Sequence, residues 1–282
     1  MSKFSLDGMF YRMNHSVAII LSVYRAEKPQ YFYESLSSLF AQTMKVDVYL
    51  YVDGPITESL QDVIKYFEKY QNFYTFYGEV NKGLAFALNT LIDITLSKRY
   101  TYIARMDTDD ISHQNRIEKQ FAFLEKQNDI DVLGSYCHEF GSEYALDLKR
   151  VPLDHDSLKK YSIIRCPFIH PTVMFRSTVF EGGIRYPLDT RFTEDMALWL
   201  NLLEKGFRFH NLPEVLLDYR INANTFSRRR GIKKAFSEFS LRFKYMMILK
   251  QFSIKRCLVL VIKFIFHLLP LFMISYAYKK HR

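Results

Sequence analysis

The chain has 282 residues, 49% of them apolar, which is enough to bury a sizeable core and too apolar for a disordered chain. Its net charge of +9 is unevenly placed: from Arg228 to Arg282 fourteen Lys and Arg stand against one acid, Glu238, so that stretch carries +13 and the first 227 residues carry −4. Nucleic-acid binding would spread basic residues over a folded body with a reading motif, and neither is present, while Cys137, Cys166 and Cys257 are spaced for neither a zinc site nor a disulfide framework, as in a reducing cytoplasm.

Residues 1–14 form an N-terminal extension without pattern, in which Met13 is a second candidate start. The first apolar run, Val17 to Val23, is too short for a secretory signal and reads as a strand buried on both faces. Helical spacing follows from Tyr31 to Phe40, then a strand over Val46 to Val52 that stops at the turn signal Asp53-Gly54-Pro55. A helix over Ser59 to Tyr70, a strand over Phe73 to Tyr77, a helix over Leu84 to Leu96 and a strand over Tyr102 to Met106 complete a βαβαβαβ rhythm. That rhythm predicts an α/β fold with a parallel, doubly wound sheet. Beyond Gly134 the pattern loosens. Thr172 to Phe175 reads as a strand, Asp195 to Lys205 as a helix and Asn222 to Arg230 as a polar, basic loop that ends the globular body, 15–230.

In the basic remainder, 231–282, Ile232, Phe236, Phe239, Phe243 and Met246 or Met247 recur at three and four, the stripe of an amphipathic helix with lysines and arginines between. Cys257 to Tyr278 is almost wholly apolar and, at about 22 residues, just long enough to span a bilayer, with Lys263 able to snorkel. Pro270 and His267 argue against a simple span, so helices lying in an anionic membrane surface are the first expectation and a single span the second. A long helix buried against the body is the third.

Asp107, Asp109 and Asp110 follow the strand that ends at Met106. So much like charge at one strand tip repels itself unless a cation is present, and a metal held by one or two carboxylates fills its other positions with phosphate and water. Open α/β sheets bind ligands at such strand ends, which points to a nucleotide diphosphate. The same residues could instead be an acidic turn capping a helix that starts near His113. Glu194-Asp195 likewise could merely cap the helix it opens.

Taken together, Ser22-Val23-Tyr24, Glu34-Ser35-Leu36, Val52-Asp53-Gly54, Asn81-Lys82-Gly83-Leu84, Met106-Asp107-Thr108-Asp109-Asp110, Arg116 with Gln120, and Glu194-Asp195 with Leu198-Trp199 resemble the family 2 inverting glycosyltransferases of GT-A fold. The resemblance runs from about Val17 to Tyr219 and implies roles. Asp53 would accept a hydrogen bond from the uracil ring of a UDP-sugar, Asp107 would sit by the ribose, and Asp109 would ligate Mn²⁺ or Mg²⁺ between the phosphates. Tyr24, Glu34, Lys82, His170 and Arg220 would join Asp53 and Asp107 around the donor, and Asp195 would be the general base. His170 could equally be a structural hydrogen-bond partner, and Trp199 a core residue rather than a platform for a sugar.

The resemblance implies a metal-dependent transfer of one hexose, glucose or galactose, from a UDP-sugar. The acceptor would be a GlcNAc on an undecaprenyl-diphosphate lipid at the cytoplasmic face of a bacterial inner membrane, giving a β1,3 bond in O-antigen or capsule assembly. The chain lacks the Gln-x-x-Arg-Trp motif of processive members, which favours one sugar per encounter. A sugar-1-phosphate nucleotidylyltransferase would want a Gly-rich loop after the first strand, and Ser22 to Ala26 has no glycine. A non-catalytic membrane-surface adaptor is the alternative outside enzymology.

Overall fold

The computed structural model describes residues 17–190, 193–221 and 231–269. At its centre β1 (Val17–Val23) pairs in parallel with β2 (Asp47–Val52) on one side and β4 (Tyr102–Arg105) on the other, and β2 pairs in parallel with β3 (Phe73–Tyr77). Both faces of β1 are covered, which is why its sequence is continuously apolar. Val17, Ile19, Leu21 and Val23 point into the core beneath α1 (Pro29–Phe40) and α2 (Glu58–Phe67), with Phe32, Leu36, Leu60 and Ile64. Ala18 and Ile20 point the other way, toward α3 (Leu84–Ser97) and Leu88, Leu91 and Ile92.

The second half departs from a purely parallel sheet. α4 (Arg116–Lys126) leads into β6 (Val132–Phe140); β7 (Met174–Arg176) runs antiparallel to both β4 and β6; and β8 (Phe209–Arg220) runs parallel to β6. A two-residue strand, β5 (Ile111–Ser112), closes the edge against β8, giving the order β3-β2-β1-β4-β7-β6-β8-β5. That pairing holds Ile111–Ser112 extended, so the helix expected near His113 begins at Arg116. The strand expected at Thr172 begins at Met174, because His170–Thr172 forms a 3₁₀ turn. β6 and β8 are the long strands that the apolar pattern did not announce. Their register slips between Leu212↔Ser135 and Val215↔Tyr136, so Pro213, which lacks an N–H, falls where the ladder is interrupted.

Three further helices, α5 (His155–Ser162), α6 (Thr178–Glu181) and α7 (Glu194–Glu204), pack on the α3 side. α8 (Ile232–Ile248) and α9 (Ile254–Phe266) follow. Tyr245, Met246, Leu249 and Leu260 join the core that holds Trp199, and Phe264 meets Phe236 and Phe239 at 5.0 and 5.9 Å. Polar groups fasten the pair. Glu238 accepts from Arg242 and Lys263 at 2.8 Å each and faces His267 at 3.1 Å, while Arg242 also donates to the carbonyls of Ser162 and Ile163, and Lys263 to that of Ile164. Lys263 is therefore drawn inward rather than snorkelling. Among the described residues no helix is long and apolar enough to cross a membrane; residues 270–278 of the candidate span, and the loop Asn222 to Arg230, lie outside them.

Candidate active site

Because β1, β2 and β4 are parallel neighbours, the residues just past their carboxyl ends collect at one edge of the sheet. Tyr24 succeeds β1, Asp53 succeeds β2, and Asp107 to Asp110 lie just beyond β4. Asp110 is fully buried, with Oδ1 accepting from the Arg220 backbone N–H at 2.7 Å and Oδ2 without a partner among the described residues. Burial, then Asp109 and Asp107, push its carboxyl well above the ordinary range. Asp109 receives no hydrogen bond from another described residue; burial, then the charges of Asp107 and Glu27, push it up to about 7. Asp107 is answered by the buried guanidinium of Arg105, whose Nη1 lies 2.5 Å from its Oδ1.

These carboxylates fit a hard divalent cation such as Mn²⁺ or Mg²⁺: oxygen donors only, self-repelling, with an orphan lone pair. No three His, Cys, Asp or Glu among the described residues are grouped closely enough to hold a metal ion by themselves.

The loop is braced from two directions. Arg220, at the end of β8, donates through Nε to the Asp109 carbonyl at 2.8 Å and through Nη2 to Glu34 at 2.5 Å, and its guanidinium lies over the rings of Tyr31 and Phe140. Glu34 also accepts from Gln30. The two residues that the sequence placed separately at the donor thus bind each other and tie α1 to the acidic loop. Ser35, next to Glu34 on α1, donates to the Asp107 carbonyl, and Thr108 donates to Glu27.

Asp53 is buried, and its two oxygens accept from the backbone N–H groups of Lys82 and Gly83 at 2.8 and 2.9 Å, so it caps α3 from another strand. Its remaining lone pairs can still take one ligand N–H. Gly54 makes this approach possible: at φ 81° a Cβ there would lie 2.6 Å from the Asn81 nitrogen. Lys82 is exposed, its Nζ 4.5 Å from the centre of the Phe86 ring.

Asp195 lies in the first turn of α7. Oδ1 accepts from the Met196 N–H at 2.7 Å and Oδ2 from the Cys166 thiol at 3.4 Å. Tyr186 is fully buried, its backbone held at both N–H and carbonyl by Asn89 at 2.8 Å. Burial raises its hydroxyl, Arg105 opposes that rise, and the charges of Asp195 and Asp107 add to it. His170 bonds the same hydroxyl at 2.9 Å; burial, then Arg105, hold it well below the usual histidine range and therefore neutral. Trp199 is wholly buried among Phe168, Phe175 and Phe209, a core residue and not a sugar platform. Arg105, Tyr186, Cys166 and Glu27 are participants that no sequence motif singled out.

An acidic loop at the carboxyl edge of a mostly parallel sheet, together with a carboxylate opening a later helix, defines a GT-A type glycosyltransferase. The chain belongs to glycosyl transferase family 2, whose profile matches residues 18–192. It is similar to the amylovoran biosynthesis glycosyltransferase AmsE of Erwinia amylovora, 31% identical over 94% of this chain and 98% of that one. It is also similar to an Escherichia coli UDP-Gal:alpha-D-GlcNAc-diphosphoundecaprenol beta-1,3-galactosyltransferase, 32% identical over 93% of this chain and 95% of that one. Among solved structures, the mannosyltransferase PcManGT from Pyrobaculum calidifontis, in complex with GDP-Man and Mn²⁺, superposes with a TM-score of 0.64 over 96% of this chain and 77% of its own, at 12% identity, a likeness of fold alone.

Proposed function

We propose that this enzyme transfers one hexose, galactose or glucose, from its UDP-sugar to a GlcNAc-diphosphate-lipid, with inversion to a β1,3-linked product, in the assembly of a surface polysaccharide. The observation that carries the reading is the acidic run Asp107 to Asp110 placed just beyond β4 at the carboxyl edge of the parallel strands, in a chain of glycosyl transferase family 2. The galactosyltransferase relative, alike along nearly its whole length, supports both the donor and the lipid acceptor.

In this reading Asp53 accepts the uracil N–H, Asp107 holds the ribose, and Asp109 would hold a divalent cation against the diphosphate. When bound, that cation neutralises charge growing on the leaving group. Asp195 takes the proton of the acceptor hydroxyl as its oxygen attacks the anomeric carbon on the face opposite the departing UDP. The neutral His170 is hydrogen-bonded to the buried Tyr186 and serves as a structural partner there.

The tail supplies the route for a lipid acceptor. On α9 the exposed Ile254, Leu258, Val261, Ile262 and Ile265 recur at three and four, a stripe turned away from the inward Leu260 and Lys263. Such a stripe amid excess basic charge suits peripheral attachment to an anionic lipid surface at the cytoplasmic face of the inner membrane.

The test is incubation with UDP-galactose or UDP-glucose, Mn²⁺ and a synthetic GlcNAc-diphosphate-lipid. A β-linked disaccharide-lipid and stoichiometric UDP are expected; no UDP above background from either donor overturns the proposal.

A further inference from the structure

A carboxylate acting as general base must present a lone pair in a fixed direction, and free rotation about Cβ–Cγ would blur that direction. At Asp195 the helix controls only Oδ1, through the adjacent Met196 N–H. Oδ2 is met by the Cys166 thiol at 3.4 Å, the one side chain among the described residues that donates to it. Burial, then the charge of Asp195, push this thiol well above its ordinary range, so it carries its proton at neutral pH and donates rather than repels.

Cys166 is itself held firmly. Just before it, the carbonyls of Ser162, Ile163 and Ile164 are gripped by Arg242 and Lys263 from the two C-terminal helices. Just after it, Phe168 packs edge-on against Trp199, on the same helix as Asp195, with ring centres 5.0 Å apart. The thiol and the carboxylate are thus anchored to one rigid block.

We infer that Cys166 is the positioning residue of the base: its S–H, bound to Oδ2 while the Met196 N–H holds Oδ1, fixes the plane of the Asp195 carboxylate. The inference rests on Asp195 being the base of the proposed reaction. During transfer the acceptor proton ends on Asp195 and the thiol keeps its own, so Cys166 is neither consumed nor oxidised.

The experiment compares Cys166→Ala, Cys166→Val and Cys166→Ser with the native enzyme in the transfer assay from pH 5.5 to 9. Removing a donor from a carboxylate destabilises its charged form. Both apolar variants should therefore show an acid limb of kcat displaced to higher pH and a kcat lowered about ten-fold at neutral pH, the size of one charge-assisted hydrogen bond. Donor KM should stay within about two-fold, because Asp53 and the acidic loop are untouched. Serine, which keeps a donor, should restore most of the rate. If the acid limb of Ala and Val coincides with that of the native enzyme, Cys166 is only core packing and the inference fails. Should neither apolar variant fold, serine alone decides: its stronger donor moves the limb to lower pH, and an unmoved limb overturns the assignment. Failure of the native enzyme to transfer at all would instead sink the proposed reaction.

Discussion

Arg220 Nη2 meets Glu34 Oε2 at 2.5 Å, joining residues 186 positions apart and closing the acidic loop between the last strand and the first helix. Three of the groups on Arg220 act at once: the backbone N–H on Asp110, Nε on the Asp109 carbonyl, Nη2 on Glu34. Arg220→Lys keeps the charge and the backbone bond but cannot reach two acceptors with a planar fork. Metal-dependent UDP affinity should fall about ten-fold by calorimetry, the loss of one hydrogen bond to a charged group. Unchanged affinity would show that the loop holds its shape without the clamp.

Asp109 carries a liability that binding relieves. Its carboxyl is pushed up to about 7 by burial and by neighbouring acids, against about 3.8 when unfolded. A group raised in this way favours folding at low pH, and the contribution is lost as pH rises from about 4 through 7. Asp109→Asn should therefore raise the stability of the metal-free protein at pH 8, by roughly 1–3 kcal/mol, and should abolish the Mn²⁺-dependent heat of UDP binding. In the native protein that affinity should climb between pH 6 and pH 8 as the proton competing with the cation is lost. A flat profile with a destabilised Asn variant would contradict the assignment.

Asp195→Asn separates binding from chemistry. The amide fills the same space and Oδ1 can still accept from Met196, but it cannot take a proton. UDP and Mn²⁺ should bind as in the native enzyme while transfer falls at least about 10³-fold, within the usual range for a lost general base. Equal turnover would remove Asp195 from the mechanism.

The first four long strands and three helices were legible because each obeys one rule: β1 is continuously apolar, and α1 to α3 repeat at helical spacing. β6 and β8 escaped because Cys137, His138, Glu139 and Asp218 break the apolar run, and Pro213 reads as a stop although it sits in a bulge. Within the site, Asp53, Asp107, Asp109 and Asp195 were visible as acids at strand or helix ends. Arg105 was hidden as a single charge in an apolar strand, and its role appears only once Asp107 folds back beside it. Tyr186 and Cys166 reach the site from connections with no regular period, so no local pattern could announce them.

Glu238 offers the sharpest test of how the tail helices are attached. It is the one acid of the basic stretch, and Arg242, Lys263 and His267 converge on it with little solvent access. Burial alone would raise its carboxyl, yet His267, Arg242 and Lys263 outweigh that and hold it far below the ordinary range. A depressed carboxylate adds stability above its unfolded value near 4.5, and that contribution is lost as pH falls below it. Glu238→Ala leaves two or three cations buried without a counter-charge, which typically costs about 3–5 kcal/mol. The expected result is a Tm lowered by several degrees at pH 7, with the difference from the native protein shrinking as the pH drops below about 4. Limited proteolysis at pH 7 should then cut between α8 and α9 faster in the variant than in the native chain. If Tm and cleavage match the native protein at pH 7, the helices are held by their apolar contacts alone and the ion cluster adds nothing to the attachment.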